Sequence, residues 1–229
     1  MAINLQKGQT IDLRKNSDGG GSEYDLSQVT IGLGWDIRKA GGGGGFMGKL
    51  FGGGKKDEDY DLDAIAFLLD ANGKVANLGR TVAAQGGQQV GLVDSDIIFF
   101  NNKKHPSGQV WSTGDNRTGA GEGDDEQIIV RLNSLPAQYE KILFLVTIYQ
   151  GQQKKQHFGM VENAFIRAVD AKGKEIARYN MSGDATYNGM SGLIFAEVYR
   201  KNGEWKFRAL GEPKMEDSFV PILKQYVYS

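Results

Sequence analysis

The sequence predicts a mainly β protein, a β-sandwich of two antiparallel sheets with a few short helices, one of them at the C-terminus. Three observations carry this. The apolar runs are short and rich in β-branched and aromatic residues, glycine-containing turn signals separate them, and helical periodicity is clear only near the end of the chain. In order, the runs are Val29-Thr30-Ile31, Ile65 to Leu69, Ile97 to Phe100, Ile128-Ile129-Val130, Ile142 to Tyr149, Ala164 to Val169, Leu193 to Tyr199 and Trp205 to Leu210. The turn signals are Asn72-Gly73, Pro106-Ser107-Gly108, Lys172-Gly173 and Asn202-Gly203. Asn202-Gly203, between Tyr199 and Trp205, marks a tight hairpin, because Asn and Gly accept the positive φ angles such a turn requires. Near the C-terminus, Phe219, Ile222, Leu223 and Tyr226 fall at helical spacing, with Asp217 or Ser218 as cap and Pro221 tolerable in the first turn.

One domain spanning 1–229 accommodates these elements. Nine of the fourteen residues from Gly41 to Gly54 are glycine. Such a stretch loses too much backbone entropy to pack, so a flexible insert is expected at about 41–56. Gly86-Gly87 mark a milder insert between Ala83 and Val93. Two stretches align without a gap. Asp63-Ala64 leads through an apolar run to Asp70-Ala71-Asn72-Gly73-Lys74, and Asn163-Ala164 leads to Asp170-Ala171-Lys172-Gly173-Lys174. Duplication and the common strand-ending pattern both account for this.

Composition excludes several functions. Net charge is −1, so no global field attracts nucleic acid, and none is expected as a partner. The absence of cysteine excludes disulfides, thiolate metal sites and a cysteine nucleophile, and fits a reducing compartment. Met1 to Lys7 lacks a charged segment followed by an apolar run, so no signal peptide is expected. The apolar run from Ile142 to Tyr149 is far too short to span a bilayer.

The chemistry lies in two acidic segments. Asp57-Glu58-Asp59-Tyr60-Asp61-Leu62-Asp63 holds five acids in seven residues. Gly114 to Glu126 holds five acids, one arginine and four glycines. Carboxylates packed this closely repel one another unless they are fully solvated or neutralised by a cation. A hard ion that takes many oxygens, such as calcium, is the natural candidate, and two solvated acidic loops are the alternative. Asp115 and Glu126 match the first and last positions of an EF-hand loop, but Arg117, Gly119 and Ala120 break the pattern between them. Gly43 to Lys49 imitates a phosphate-binding loop, yet Leu50 stands where a hydroxyl must hold magnesium. Neither His105 nor His157 accompanies a nucleophile motif, and both read as ordinary loop residues. No catalytic residue is assigned, and an enzyme is not expected.

Several separated motifs together resemble the tellurium-resistance TerD family of calcium-binding bacterial stress proteins. They are Gly32-Leu33-Gly34-Trp35-Asp36, Asp61-Leu62-Asp63-Ala64, Phe99-Phe100-Asn101-Asn102, Gly114-Asp115-Asn116-Arg117-Thr118-Gly119, Gly123-Asp124-Asp125-Glu126, Phe158-Gly159, Asn163 to Arg167 and Glu204 to Ala209. The glycine-rich insert departs from the shorter members and is similar to the TerX or TerZ type. The resemblance implies a β-sandwich with calcium-binding loops gathered at one end. It implies as calcium ligands Asp36, Asp61, Asp63, Asn101, Asp115, Asn116, Asp124, Asp125 and Glu126, with carbonyls from Gly119 and Gly121. It further implies a cytoplasmic stress role linked to tellurite and phage resistance, with other Ter-type proteins and a membrane-associated partner. Phe46, Met47, Leu50 and Phe51 beside Lys49, Lys55 and Lys56 add the option of a calcium-dependent membrane-surface contact, peripheral at the inner membrane. A metal-dependent hydrolase or phosphotransferase using the same acids is the alternative function.

Overall fold

A computed structural model describes residues 3–4, 6–13, 24–37, 61–83, 86, 88–113, 124–180 and 185–229. Its strands are β1 (Ile3–Asn4), β2 (Thr10–Asp12), β3 (Val29–Ile37), β4 (Leu62–Leu69), β5 (Arg80–Ala83), β6 (Gln89–Val93) and β7 (Ile97–Ile98). They continue with β8 (Val110–Ser112), β9 (Glu126–Val130), β10 (Lys141–Ile148), β11 (Val161–Val169), β12 (Glu175–Asn180), β13 (Gly192–Lys201) and β14 (Glu204–Lys214). Two short α-helices complete the set, α1 (Gly151–Lys154) and α2 (Phe219–Leu223).

The strands form two six-stranded sheets. One has the order β1-β12-β11-β3-β9-β8 and the other β2-β14-β13-β10-β4-β7, while β5 and β6 pair as a separate ribbon. Within the two sheets only β1 and β12 run parallel, over two residues; the other pairings among the described residues are antiparallel. The sandwich expected from the sequence is therefore present. The β5–β6 ribbon spans the milder glycine insert, and the stretch at 41–56 lies outside the described residues.

The main core lies between the sheets. Ile31, Leu33 and Trp35 of β3, Ile128 and Val130 of β9 and Ile166 of β11 meet Leu62, Ala66 and Leu68 of β4, Phe144 and Val146 of β10 and Trp205 and Phe207 of β14. A second cluster covers the far face of the other sheet, where Ile65, Phe67, Leu69, Leu143 and Leu145 pack under Phe219, Ile222 and Leu223 of α2. This explains why Ile65 to Leu69 and Ile142 to Val146 read as unbroken apolar runs. Both faces of β4 and β10 are buried, so neither strand alternates with polar residues.

Ser218 caps α2, its hydroxyl accepting from the Val220 amide at 3.4 Å. The helix ends after five residues, and Tyr226 continues the apolar stripe from a turn rather than from the helix. The hairpin joining β13 and β14 has Asn202 at φ 55° and Gly203 at φ 76°, the positive pair that the Asn-Gly signal predicts.

The two aligned stretches fold alike. Asp70 and Asp170 each accept from the amides two and four residues on, at 2.8 and 3.0 Å and at 2.9 and 2.8 Å. Gly73 and Gly173 take φ 71° and 79°. One copy ends β4 and the other ends β11, so each sheet carries one.

Candidate metal centre

The acidic segments enter the described structure at the starts of β4 and β9. Asp125 extends the ladder beyond the last paired residue of β9. Its amide donates to the Leu33 carbonyl at 2.8 Å, and its Oδ2 accepts from the Trp35 amide at 2.9 Å. Glu126 pairs with Leu33 in one sheet and sends its buried carboxylate to the other, where Oε2 accepts from the Ala64 amide. These two contacts tie β3, β9 and β4 together at one end of the sandwich. Asp63 stands one residue before Ala64, opposite the buried Thr147, and Asp61 anchors the same edge through its carbonyl, which accepts from the Tyr149 amide at 2.8 Å. Asp36 follows Trp35 and pairs in register with Glu162 of β11. Asn163, the counterpart of Asp63 in the aligned copy, lies beside it at φ 50°, where β11 is irregular. Asp36, Asp61, Asp63, Asn163, Asp124, Asp125 and Glu126 thus share one end.

Asp124 is held differently. Its side chain is 2 % exposed and lies over Gly32, which has no Cβ to oppose it. Oδ1 accepts from Arg167 Nε at 2.7 Å and Oδ2 from Gln127 Nε2 at 3.2 Å. Arg167 also meets Glu175 at 3.2 Å, and Glu175 in turn meets Arg178 at 2.9 Å. Asp124 holds the Arg167 guanidinium above its ordinary pKa. Arg178, followed by Arg167, holds the Glu175 carboxyl below the usual value. The sequence offered no sign of the Asp124–Arg167 pair, because its members lie 43 residues apart and meet only where β9 and β11 flank β3.

Asn101 is exposed, at the tip of a tight turn closed by bonds between Phe99 and Asn102. Its neighbour Asn102 is the buried one, donating to the Ile97 carbonyl at 2.7 Å. Asn101 and Asp63 line one cleft of about 440 Å³ with Phe100, Tyr149 and Asp217. Asp217, the alternative to Ser218 as the cap of α2, instead accepts from the Gln152 amide at 3.1 Å.

Asp115, Asn116, Gly119 and Gly121 lie outside the described residues, as does the side chain of Asp36. Among the described residues, no three His, Asp or Glu side chains converge closely enough to hold a metal ion. The donors gathered at this end are nevertheless all carboxylate or amide oxygens. That set fits a hard cation such as calcium or magnesium and does not fit zinc or copper.

His105 occupies a loop, as expected, but is buried. Its Nε2 lies 3.1 Å from Asp96 Oδ1, and the Tyr139 hydroxyl donates to the same oxygen at 2.8 Å. The Ser107 amide donates to His105 Nδ1 at 3.1 Å, so Nδ1 is the acceptor and Nε2 carries the proton toward Asp96. Burial, reinforced by Asp96, pushes the Tyr139 phenol up to about 12.

The TerD domain model matches residues 1–226, and the chain belongs to that family. It is 55% identical to tellurium resistance protein TerX of Serratia marcescens over 99% of this chain and 100% of that one. It is 41% identical to stress response protein SCP2 of Bacillus subtilis over 99% of this chain and 100% of that one. The crystal structure of a homologue of telluride resistance protein TerD from Streptomyces coelicolor shares the fold, with a TM-score of 0.58 at 20% identity, covering 89% of this chain and 99% of that one. Among the described residues, no helix is long and apolar enough to cross a membrane.

Proposed function

We propose that this protein is a calcium-binding stress-response protein of the tellurite- and phage-resistance type, acting in the cytoplasm as a calcium-stabilised interaction module. The observation that carries the reading is the joining of the acidic segments by the Trp35–Asp125 and Ala64–Glu126 bonds, which gathers oxygen donors from both sheets at one end. The names of its relatives, a tellurium resistance protein and a stress response protein, support the tellurium-resistance and stress-response parts of the reading.

The ligand pool is Asp36, Asp61, Asp63, Asn101, Asp115, Asn116, Asp124, Asp125 and Glu126, with carbonyls from Gly119 and Gly121. Within it, Asp61 and Asp63 are the direct carboxylates of the β4 edge. Asp124, Asp125 and Glu126 are themselves held by their bonds to Arg167, Trp35 and Ala64. Bound calcium would offset the repulsion among these carboxylates and favour the folded state by mass action. Other Ter-type proteins and a membrane-associated protein are the inferred partners.

Thermal unfolding in excess calcium, in excess magnesium and in chelator tests the reading. Calcium should raise the melting temperature more than magnesium does. Asp61→Asn, Asp63→Asn, Asp124→Asn and Asp125→Asn should each reduce that rise. Identical melting in calcium and in chelator would refute calcium binding.

A further inference from the structure

We propose that a basic pocket at the β8 edge, built around Trp111, binds a nucleotide, that is, a phosphorylated ligand carrying a planar base. The pocket has a volume of about 320 Å³ and is lined by Lys103, Lys104, Gly108, Trp111, Ser112 and Arg131. Three of these six are cations and none is an acid. Lys103, Lys104 and Arg131 are exposed, and none pairs with a carboxylate among the described residues. Three positive charges in one small hollow, none paired with a carboxylate among the described residues, stand out in a chain whose net charge is −1.

The backbone fixes this arrangement. Lys104 pairs with Trp111 across a short antiparallel bridge, and the Ser112 amide donates to the Lys103 carbonyl at 2.8 Å. The Arg131 amide donates to the Gln109 carbonyl at 2.9 Å, which brings the end of β9 to the same hollow. The Lys104 stem passes 3.9 Å from the position a Cβ on Gly108 would take, at φ 71°. Directly after Lys104, the buried His105 is locked to Asp96 and Tyr139, so the lysine pair hangs from a rigid anchor. The backbone of the pocket is thus fixed before binding, and the ordering cost falls on the exposed lysine side chains, at about 0.5–1.5 kcal/mol each.

The ligand class follows from the lining. Lysine ammoniums and a guanidinium are the donors that suit phosphate oxygens. The Arg131 guanidinium carbon sits 5.2 Å from the Trp111 ring centroid, a cation–π pair, and aromatic and guanidinium planes are the side-chain surfaces on which nucleobases stack. The volume lies at the lower end of the roughly 300–1,000 Å³ range of small-ligand sites, which suits one nucleotide rather than a strand. The near-neutral net charge argues in the same direction, since a long polyanion depends on an extended basic surface.

Trp111 supplies its own probe. Trp35 and Trp205 are each 2 % exposed, whereas Trp111 is half-buried at the pocket wall. ATP is titrated into the full chain in excess chelator, so the result does not depend on calcium, with intrinsic fluorescence and calorimetry as readouts. Saturable quenching is expected. Lys104→Glu and Arg131→Glu should each weaken binding by about tenfold or more, as loss of a charge-assisted contact does, with melting temperature unchanged. Trp111→Phe should remove the quenching and weaken the calorimetric affinity. The proposal is overturned by the absence of saturable binding or by ATP affinity that survives both charge reversals. It is also overturned by inorganic triphosphate binding as tightly as ATP, which marks a bare anion patch, or by a short oligothymidylate binding more tightly, which marks a nucleic-acid surface.

Discussion

Replacing Gly32 by alanine is the sharpest test of how the acidic end is built. A Cβ at this position would lie 2.2 Å from Asp124 Cγ and Oδ2 and 2.5 Å from Oδ1, far inside van der Waals contact. Gly32 sits within β3, paired to Gln127 and Arg167 on its two sides, so the backbone has little room to retreat. The carboxylate must therefore swing away and give up its 2.7 Å bond to Arg167. Breaking a buried ion pair costs about 3–5 kcal/mol. Arg167 is 27 % exposed and keeps Glu175 as a second partner, which lowers the cost. A Gly→Ala change also restricts the unfolded chain and returns roughly 0.4–1 kcal/mol. The net loss should be about 2 kcal/mol, or a fall in melting temperature of about 4–8 °C for a chain of this size. Urea unfolding of Gly32→Ala, Asp124→Ala and the double variant measures it. Asp124→Ala vacates the space, so Gly32→Ala should cost almost nothing in that background, and the cycle should return a coupling of about 2 kcal/mol. Additive losses, or a Gly32→Ala protein as stable as the parent, would refute the cradle.

Two predictions concern pH. Tyr139, 5 % exposed, has its phenol raised from 10 to about 12 in the folded state, so its contribution is complete below pH 10 and disappears as pH rises toward 12. The loss is on the order of 2 kcal/mol, and Tyr139→Phe should flatten this alkaline decline in denaturant midpoint. Glu175 is shifted the other way. Its contribution is complete above its ordinary value of 4.5 and is lost as pH falls through the lower folded value. Glu175→Gln should accordingly be less stable than the parent at neutral pH and show a shallower acid decline below 4.5, measured by urea midpoints across that range.

Much of the architecture was legible because its causes are local. The Asn202-Gly203 turn, the capped C-terminal stripe and the apolar runs each state a backbone preference within a few residues. The strands that escaped detection, β1, β2, β5, β6, β8 and β12, are short, polar or lie at edges, so burial leaves little pattern in them. Gly32 illustrates the boundary between the two kinds of information. Its place in a family motif was visible, but the reason for a glycine there, a carboxylate arriving from the start of β9, exists only after β3 and β9 pair.

The sequence by itself therefore determined the class of fold, the family and the chemical character of the acidic segments, since these depend on residue type and short spacing. The tertiary structure alone decided which charges meet. It set Asp124 against Arg167, sent Glu126 across to Ala64, and buried the loop residue His105 against Asp96 and Tyr139. The physical reason is range. Turn chemistry and periodicity act over a few residues, whereas a buried charge finds its partner across a strand pairing or between sheets, wherever the packed chain brings an opposite charge or an unpaired amide within about 3 Å.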